Sequence, residues 1–403
     1  MQEARTQEAL NTGVSRSPTA RVNPVWSAFD HHAMGIALMM ARRGLGRTAP
    51  NPSVGAVVAD PATGEILARA VTAPGGRPHA EPLVLAQAGD RARGATLYVT
   101  LEPCSHHGQT APCADAIVAA GIARVVVAIE DPDPRVAGRG LARLRAAGID
   151  VSRGLRAAEA SIVTRGHVIR IGQRRPFIQL KLALDADGAV PRGADGTPLI
   201  VTSPEARALG HLLRAEADAI LVGSGTVVAD NPELTCRLPG MASRSPTRVV
   251  LARRGLDVTG TRLISMRSHA PLTVVTGPNA GHDIVSAMSA AGATVEVVAE
   301  VGGALWLPAV VERLAERGIT RLLVEGGPKV WRGFAEAGLV DEIVLFCASA
   351  ARLPEAAALD AVRRAIIDHL GAAAVQVADH RTVGLDRVWW LRTGHDPTHV
   401  STV

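Results

Sequence analysis

The sequence is poor in aromatic residues: Phe, Tyr and Trp together make up 2% of its 403 residues. Proteins that bind single-stranded nucleic acid usually stack bases on aromatic side chains that lie among basic ones, and no stretch of this kind is present. Lys and Arg are scattered, and the formal net charge is +5. This charge fits an anionic small molecule. Many arginine-rich proteins carry a similar charge, and we expect no nucleic-acid partner.

Long apolar runs are also missing. Arg, Asp, Glu or Gly interrupts each candidate before it reaches the ~18 apolar residues that span a bilayer. The stretch up to about Trp26 is rich in Arg, Thr, Ser and Asn, and it lacks the apolar core of a secretory signal. We interpret residues 1–28 as a flexible extension and expect a cytoplasmic protein without membrane contact.

Cysteine is scarce, with four residues in the chain. This number is too small for a disulfide scaffold, and thiols stay reduced in the cytoplasm. Cys236 and Cys347 stand alone, and we interpret them as ordinary buried thiols. Cys104 and Cys113 are close in sequence, which makes them candidates for ligands or nucleophiles.

From Asp30 onward, helical and strand-like patterns alternate regularly. In the first half, we predict helices at 34–43, 81–88, 112–120 and 139–147 and strands at 54–58, 95–100 and 124–128. In the second half, we predict helices at 204–215 and about 330–337 and strands at 177–184, 219–222, 248–251, 272–276, 294–298, 321–324 and 342–346. This rhythm favours mostly parallel sheets covered by helices.

The chain is long enough for two domains, each with its own hydrophobic core. Segment 172–176, which contains Arg174 and Arg175, is the best candidate for a linker. We therefore predict an α/β fold with one domain at 29–173 and a second at 174–403.

A metal-site pattern lies in the first half. His79 and Glu81 stand at the start of a predicted helix, Cys104 follows a predicted strand, and Cys113 precedes the next helix. Ligands collect where strands end and helices begin, and one imidazole with two thiolates suits zinc with a fourth position left for water. His-x-Glu followed by Pro-Cys and a second Cys is the signature of zinc deaminases.

Two other interpretations of these residues exist. His79 could be a helix-start histidine without a ligand role, with the cysteines nearby by coincidence, but the combined pattern favours the metal site. A redox pair is disfavoured, because eight residues separate Cys104 from Cys113 where a thioredoxin-type motif has two.

The chemistry expected at such a site is deamination. Zinc lowers the pKa of water toward neutrality, so that hydroxide is available to attack an amidine-like carbon. Glu81 is the predicted catalytic residue, because a carboxylate there can take the proton of water and deliver it to the ring nitrogen and the departing amine. The expected leaving group is ammonia.

The block 98–113 reads Tyr-Val-Thr-Leu-Glu-Pro-Cys-Ser-His-His-Gly-Gln-Thr-Ala-Pro-Cys. It resembles the bifunctional riboflavin-biosynthesis deaminase-reductases, which also have eight residues between the two cysteines. Nucleoside and tRNA deaminases usually have two residues there. Segments 50–55, 131–134 and 136–140 are also similar to that family. The resemblance covers nearly all of residues 30 to about 345.

The resemblance implies a cytidine-deaminase-like three-layer domain followed by an α/β domain similar to dihydrofolate reductase. It implies deamination of 2,5-diamino-6-(5-phosphoribosylamino)pyrimidin-4(3H)-one, followed by NADPH-dependent reduction of the ribosyl group to a ribityl chain. The expected cofactors are one Zn²⁺ per deaminase site and NADPH. We also expect a homo-oligomer.

The resemblance also implies binding residues. Those expected to hold the pyrimidine or its phosphoribosyl group in the first domain are Asn51, His106 and Asp131, although Asn and Asp are equally common as turn residues. Those expected to face the sugar phosphate in the second domain are Lys181, Arg214, Leu234, Arg237 and Glu325. Those expected to contact NADPH are Leu184, Thr226, Asp230 and Gly327.

Residue chemistry supports part of this assignment. Arginine pairs with phosphate through two hydrogen bonds, which gives Arg214 and Arg237 a physical reason to be there. Gly326 and Gly327 before a predicted helix suit a dinucleotide, because the backbone can approach a phosphate and the helix offers free N–H groups. Glu325 could bind ribose hydroxyls or assist proton transfer to the opening ring oxygen.

Three departures from the family pattern leave alternatives open. Gln109 stands where the family usually has Lys or Arg, Asp185 replaces a usual Ser, and 198–200 replaces a usual Ser-x-Trp. One alternative is a paralogue that deaminates a related aminopyrimidine. Another is a C-terminal half that serves only as a binding or dimerisation module.

Overall fold

The computed structural model describes residues 25–106, 111–191, 201–348, 350, 354–371 and 375–394. Residues 1–24 of the predicted extension lie outside these ranges, and the first helix already begins at Ala28. The helices of the N-terminal domain are α1 (Ala28–Gly44), α2 (Ala80–Ala88), α3 (Cys113–Ala119), α4 (Arg139–Ala146) and α5 (Ala157–Gln173). Its strands are β1 (Gly55–Asp60), β2 (Glu65–Val71), β3 (Thr96–Val99), β4 (Arg124–Val127) and β5 (Asp150–Arg153).

The N-terminal sheet is only half parallel, which corrects the mostly parallel sheet predicted from the sequence. Its strand order is β2-β1-β3-β4-β5, and β3, β4 and β5 are parallel. Strand β1 runs antiparallel to both β2 and β3. The β1–β2 hairpin was missed because the sequence was expected to continue from β1 toward a helix. In the structure, the chain instead turns back at Gly64, which has a φ of 74°, and enters β2.

Alternate side chains of this sheet face different helices, as the pleat requires. Val57, Tyr98 and Val126 pack with α1 and the start of α5. Their neighbours Ala56, Leu97 and Val125, on the opposite face, pack with α2, α3 and α4. The domain therefore has a helix layer, a sheet and a second helix layer, which confirms the predicted three-layer α/β class.

The C-terminal domain is a second α/β unit. Its strands are β6 (Phe177–Leu184), β7 (Ala219–Gly223), β8 (Thr247–Leu251), β9 (Leu272–Thr276), β10 (Thr294–Val297), β11 (Glu300–Val301), β12 (Ala304–Leu305), β13 (Arg321–Val324), β14 (Glu342–Cys347), β15 (Val375–Val383) and β16 (Asp386–Thr393). Its helices are α6 (Pro204–Glu216), α7 (Ser224–Asp230), α8 (Arg262–Ser265), α9 (His282–Ala290), α10 (Leu307–Glu316), α11 (Pro328–Glu336) and α12 (Glu355–Leu370).

Nine of these strands form one sheet in the order β10-β9-β8-β7-β13-β6-β14-β16-β15. The strands from β10 to β14 in this order are parallel, and the last two pairings are antiparallel. The prediction of a mostly parallel sheet is therefore confirmed for this domain. Helix α12 and the β15–β16 hairpin were not predicted from the sequence. No helix in the described ranges combines the length and apolar composition needed to cross a membrane.

Helix α5 connects the two domains and contacts both of them. The Arg170 guanidinium donates to the carbonyl of Ala315 at 3.0 Å and to that of Pro50 at 3.2 Å, one in each domain. Arg165, on the same helix, donates to Glu342 of β14 at 2.8 Å, and both side chains are buried. Because α5 extends to Gln173, the predicted linker is shortened to residues 174–176.

Two candidate active sites

The predicted metal residues come together at the carboxyl end of β3. His79 is the N-cap of α2, Cys113 is the first residue of α3, and Cys104 lies in the loop between β3 and α3. His79 Nδ1 lies 3.3 Å from Cys113 Sγ and 3.8 Å from Cys104 Sγ. Glu81, in the first turn of α2, is buried beside them with 3% of its surface exposed.

The electrostatics of the cluster favour a thiolate. The hydrogen bond with Cys113 is the largest cause that lowers the pKa of the Cys104 thiol, to about 4, and His79 lowers it further. The same hydrogen bond, together with burial, raises the pKa of Cys113. Burial raises the pKa of Glu81 to about 7, although the nearby His79 opposes this shift.

Zinc fits this group of residues. One atom from each of His79, Cys104 and Cys113 lies within 4.8 Å of the other two. One imidazole and two thiolates are a donor set that zinc accepts in catalytic sites, where the fourth position belongs to water or substrate.

A cavity of about 330 Å³ adjoins the cluster. This volume lies within the range usual for small-molecule sites. The predicted substrate residues Asn51, His106 and Asp131 line it together with His79, Glu81 and Cys104. Asn51 donates to the Gly76 carbonyl at 2.8 Å, and Nδ1 of His106 is buried without a partner in the described part of the chain.

Other residues of this cavity were missed from the sequence. Glu102 accepts hydrogen bonds from the backbone N–H groups of Asp131, Gly138 and Leu141 and so fixes the loop that carries Asp131. A buried carboxylate needs such partners, so an acidic residue directly after an apolar strand was the available signal. Among the described residues, Arg77, Asp133, Arg135 and His167 also line the cavity.

A second cavity, of about 250 Å³, lies in the C-terminal domain. Its lining includes four of the residues predicted to bind the substrate, Lys181, Arg214, Arg237 and Glu325. Arg214 donates two hydrogen bonds to Glu325, at 2.9 and 2.7 Å, and Lys181 Nζ lies 3.9 Å from the same carboxylate. Burial alone would raise the pKa of Glu325, but Arg214 and Lys181 outweigh it and lower the pKa to about 2. His211, which the sequence did not indicate, also lines this cavity.

Three of the predicted cofactor residues follow neighbouring strands. Thr226 and Asp230 lie on α7, directly after β7, and Gly327 caps α11, directly after β13, which pairs with β7. A Cβ on Gly326 would lie 2.6 Å from Val330, so only glycine fits this turn. No side chain caps α11, and Pro328 at its first position has no N–H, so the glycine backbone and the N–H of Lys329 are what this turn can offer to a phosphate.

Five predicted binding residues are not part of the lining of the second cavity, and they are Leu184, Leu234, Thr226, Asp230 and Gly327. Leu184 is fully buried, because side chains 178, 180, 182 and 184 of β6 all face the core that α10, α11 and α12 cover. Lys181 and Ala183, with the opposite orientation, line the cavity. Leu234 is also buried in the core, on the other face of the sheet. These two side chains therefore pack in the protein interior.

The structure describes one of the three departures from the family pattern. Asp185 accepts hydrogen bonds from the backbone N–H groups of Asp187 and Ala189, at 3.0 and 2.9 Å. Its carboxylate therefore holds the turn after β6, as Asp commonly does. Gln109 and residues 198–200 lie outside the described residues.

Comparison with known families matches each half of the chain separately. Residues 27–129 match the cytidine and deoxycytidylate deaminase zinc-binding region. Residues 176–351 match the RibD C-terminal domain. The first match contains the cluster of His79, Cys104 and Cys113, and the second contains the Arg214–Glu325 pair.

Similar proteins match both halves at once. The riboflavin biosynthesis protein RibD of Escherichia coli is 40% identical over 332 residues, which cover 79% of this chain and 87% of that protein. The same protein of Aquifex aeolicus is 40% identical, with 79% and 86% covered.

Solved structures agree with these relatives. Acinetobacter baumannii RibD covers 91% of this chain and 99% of its own with a TM-score of 0.75 at 28% identity. A diaminohydroxyphosphoribosylaminopyrimidine deaminase/5-amino-6-(5-phosphoribosylamino)uracil reductase of Thermotoga maritima has a TM-score of 0.72 at 31% identity, with the same coverage. From the identity over most of the length of its relatives, the chain belongs to the RibD family of riboflavin biosynthesis proteins.

Proposed function

We propose that this chain catalyses two consecutive steps of riboflavin biosynthesis. The first is deamination of 2,5-diamino-6-(5-phosphoribosylamino)pyrimidin-4(3H)-one, and the second is NADPH-dependent reduction of the ribosyl group to a ribityl chain. The observation that carries this proposal is the cluster of His79, Cys104 and Cys113 beside Glu81 at the wall of a ligand-sized cavity. Family membership supplies the substrate and the second step.

In the first site, the protein holds the pyrimidine and moves protons. His79, Cys104 and Cys113 hold zinc, which supplies the Lewis acidity that makes water a nucleophile near neutral pH. Glu81 would take one proton from the attacking water and deliver it to the ring nitrogen, and it would then pass the second proton, from the new hydroxyl group, to the amine that leaves as ammonia. Among the residues of the cavity wall, those that orient the ring or its phosphoribosyl group are Asn51, His106 and Asp131.

In the second site, charged side chains hold the phosphorylated sugar. NADPH supplies the hydride when it binds at the turn of Gly327. The low pKa of Glu325 keeps its carboxylate ionised, so we assign it to accept hydrogen bonds from ribose hydroxyls and not to donate a proton. Lys181, the ammonium in the same cavity, donates the proton to the ring oxygen that opens. Arg214 and Arg237 contact the phosphate.

The remaining expectations are also proposals. We propose domain boundaries at 29–173 and 174–403, Thr226 and Asp230 as further NADPH contacts, and a homo-oligomer that works in the cytoplasm without nucleic acid or membrane. The alternative of a deaminase paralogue with a non-catalytic second half is not favoured, because the relatives match both domains in one chain.

The two steps are tested separately with the purified zinc-loaded protein. Incubation with the diaminopyrimidine alone should release ammonia, and NADPH should be oxidised only when it meets the deaminated product. Ammonia release without later NADPH oxidation would contradict the second step and support a binding module. Failure to release ammonia from this substrate, with release from a related aminopyrimidine, would support the paralogue.

A further inference from the structure

His167 lies on the connecting helix α5, yet its imidazole reaches the deaminase cavity. It is 9% exposed, and it lines the cavity together with Asn51, His106 and Asp131. Its Nε2 lies 3.1 Å from Oδ1 of Asp131. His167 is not part of the zinc-site pattern or of the motifs 50–55, 98–113, 131–134 and 136–140.

The hydrogen bonds around Asp131 define its orientation. A carboxylate oxygen only accepts, so His167 donates from Nε2. The same Oδ1 also accepts from the backbone N–H of Asp133 at 2.9 Å. Asp131 Oδ1 is therefore held from two sides, by its own loop and by α5, while Nδ1 of His167 is buried without a partner among the residues described.

Contacts with the C-terminal domain help to fix the position of His167. Gly166, the preceding residue, lies so close to β13 that a Cβ there would be 2.8 Å from the Thr320 carbonyl oxygen. Arg165 is paired with Glu342 of β14, and Arg170 with the Ala315 carbonyl at the end of α10. Residues on both sides of His167 are therefore fixed to the domain that carries the second active site.

We propose that His167 is a positioning residue of the deaminase site: it holds the Asp131 carboxylate in the orientation that binds the pyrimidine substrate. Because the C-terminal domain contacts this part of α5, that domain helps to hold one residue of the first cavity's wall in place. This inference rests on the proposed deaminase function. It assigns His167 a role through Asp131 and not a contact with the reacting atoms.

The test compares His167→Phe with His167→Gln in the full-length, zinc-loaded protein. Phenylalanine keeps an aromatic ring of similar size but lacks the N–H group that donates to Asp131. The amide of glutamine can still donate a hydrogen bond to Asp131. Loss of one hydrogen bond to a charged group should raise the KM for deamination about tenfold in the Phe variant, with kcat within about twofold of wild type. The Gln variant should recover most of this loss. Zinc content and the KM of the reductase step should not change in either variant.

Val163→Ala is the matched control. Val163 lies one turn earlier on α5 and packs against Ala41 and Leu45, away from Asp131. This variant should lower the melting temperature but leave the KM for deamination unchanged. If His167 acts only through packing, its Phe variant will behave like this control, with a lower melting temperature and an unchanged KM for deamination.

A double-mutant cycle with Asp131→Asn tests the route of the effect. If His167 acts through Asp131, the KM increase of the double variant will be smaller than the product of the two single increases. Multiplicative effects, an unchanged KM in His167→Phe, or a Gln variant as impaired as the Phe variant would each overturn the proposal. Wild-type protein is assayed in parallel, and its failure to release ammonia would refute the proposed function instead.

Discussion

At the scale of single residues, the first site depends on Glu81 more directly than on any other carboxylate. It is two positions from the ligand His79 and almost fully buried at the wall of the cavity. A buried carboxylate in this place can exchange protons with water and substrate while the imidazole and thiolates remain ligands. Proton transfer and metal binding should therefore be separable by substitution.

We predict that Glu81→Gln retains zinc and loses deamination. The amide keeps the size of the side chain but cannot carry the proton, so kcat should fall about 10²–10⁴-fold. Metal analysis and ammonia release measure the two effects. Glu65→Gln is the control, since Glu65 pairs with Arg91 on an exposed surface, and it should retain full turnover. Undiminished turnover of Glu81→Gln would remove Glu81 from the mechanism.

We predict that Glu325→Gln lowers stability in a pH-dependent way. Interaction with Arg214 and Lys181 lowers the pKa of Glu325 from 4.5 to about 2. A lowered carboxyl pKa stabilises the fold above the unfolded-state value, and this stabilisation is lost as the pH falls from about 5 toward 2. The variant should therefore be less stable by about 3 kcal/mol at pH 7, and the gap should shrink below about pH 5.

Urea unfolding of both proteins between neutral pH and about pH 3 measures this gap. Glu316→Gln removes a half-exposed partner of Arg313 and is the control. Its free energy of unfolding should be almost equal to that of the wild type at every pH. A difference for Glu325→Gln that stays constant over the whole range would contradict the ionised pair.

Residues in short motifs could be predicted to lie together from the sequence, and others could not. The pattern of His79, Cys104 and Cys113 predicts a cluster because each stands where a strand ends or a helix begins. Leu184 was assigned to the cofactor, but the alternation of side chains along β6 puts it in the core. His167 reaches the cavity from α5, a different element from the loop that carries Asp131, and no local pattern signals this contact.

At the scale of secondary-structure elements, the parallel strands were the most predictable. Strands β3, β4, β6 and β13 are short apolar runs before turns or helices, and the structure contains each of them near its predicted range. The β15–β16 hairpin was missed, because most of β15 is exposed and lacks the apolar run of a central strand. Helix α5 was missed although it connects the domains.

We predict that Gly166→Ala destabilises the protein and Gly172→Ala does not. Both residues lie in α5, but only Gly166 faces the Thr320 carbonyl, and nothing lies within 4 Å of a Cβ on Gly172. The added methyl group at Gly166 should lower the free energy of unfolding by about 1–3 kcal/mol, because the site has no room for it. Alanine at Gly172 should increase the free energy of unfolding by at most about 1 kcal/mol, because alanine favours a helix more than glycine does. Thermal unfolding of both variants checks this, and equal melting temperatures would contradict the close contact of α5 with β13.

At the scale of the whole molecule, two sites of different chemistry belong to one chain. The first adjoins the carboxyl end of β3, and the second adjoins the carboxyl end of β13. Both follow the rule that ligands bind where parallel strands end. Helix α5, through Arg165 and Arg170, fixes one domain to the other.

The most direct test of the two-step account is a time course in a single mixture of protein, zinc, the diaminopyrimidine phosphate and NADPH. Ammonia and NADPH are followed together. The account predicts that ammonia is released first, that NADPH oxidation follows after a lag, and that the final amounts of ammonia and oxidised NADPH are equal. NADPH oxidation without ammonia release, or ammonia release with no NADPH oxidised, would contradict it.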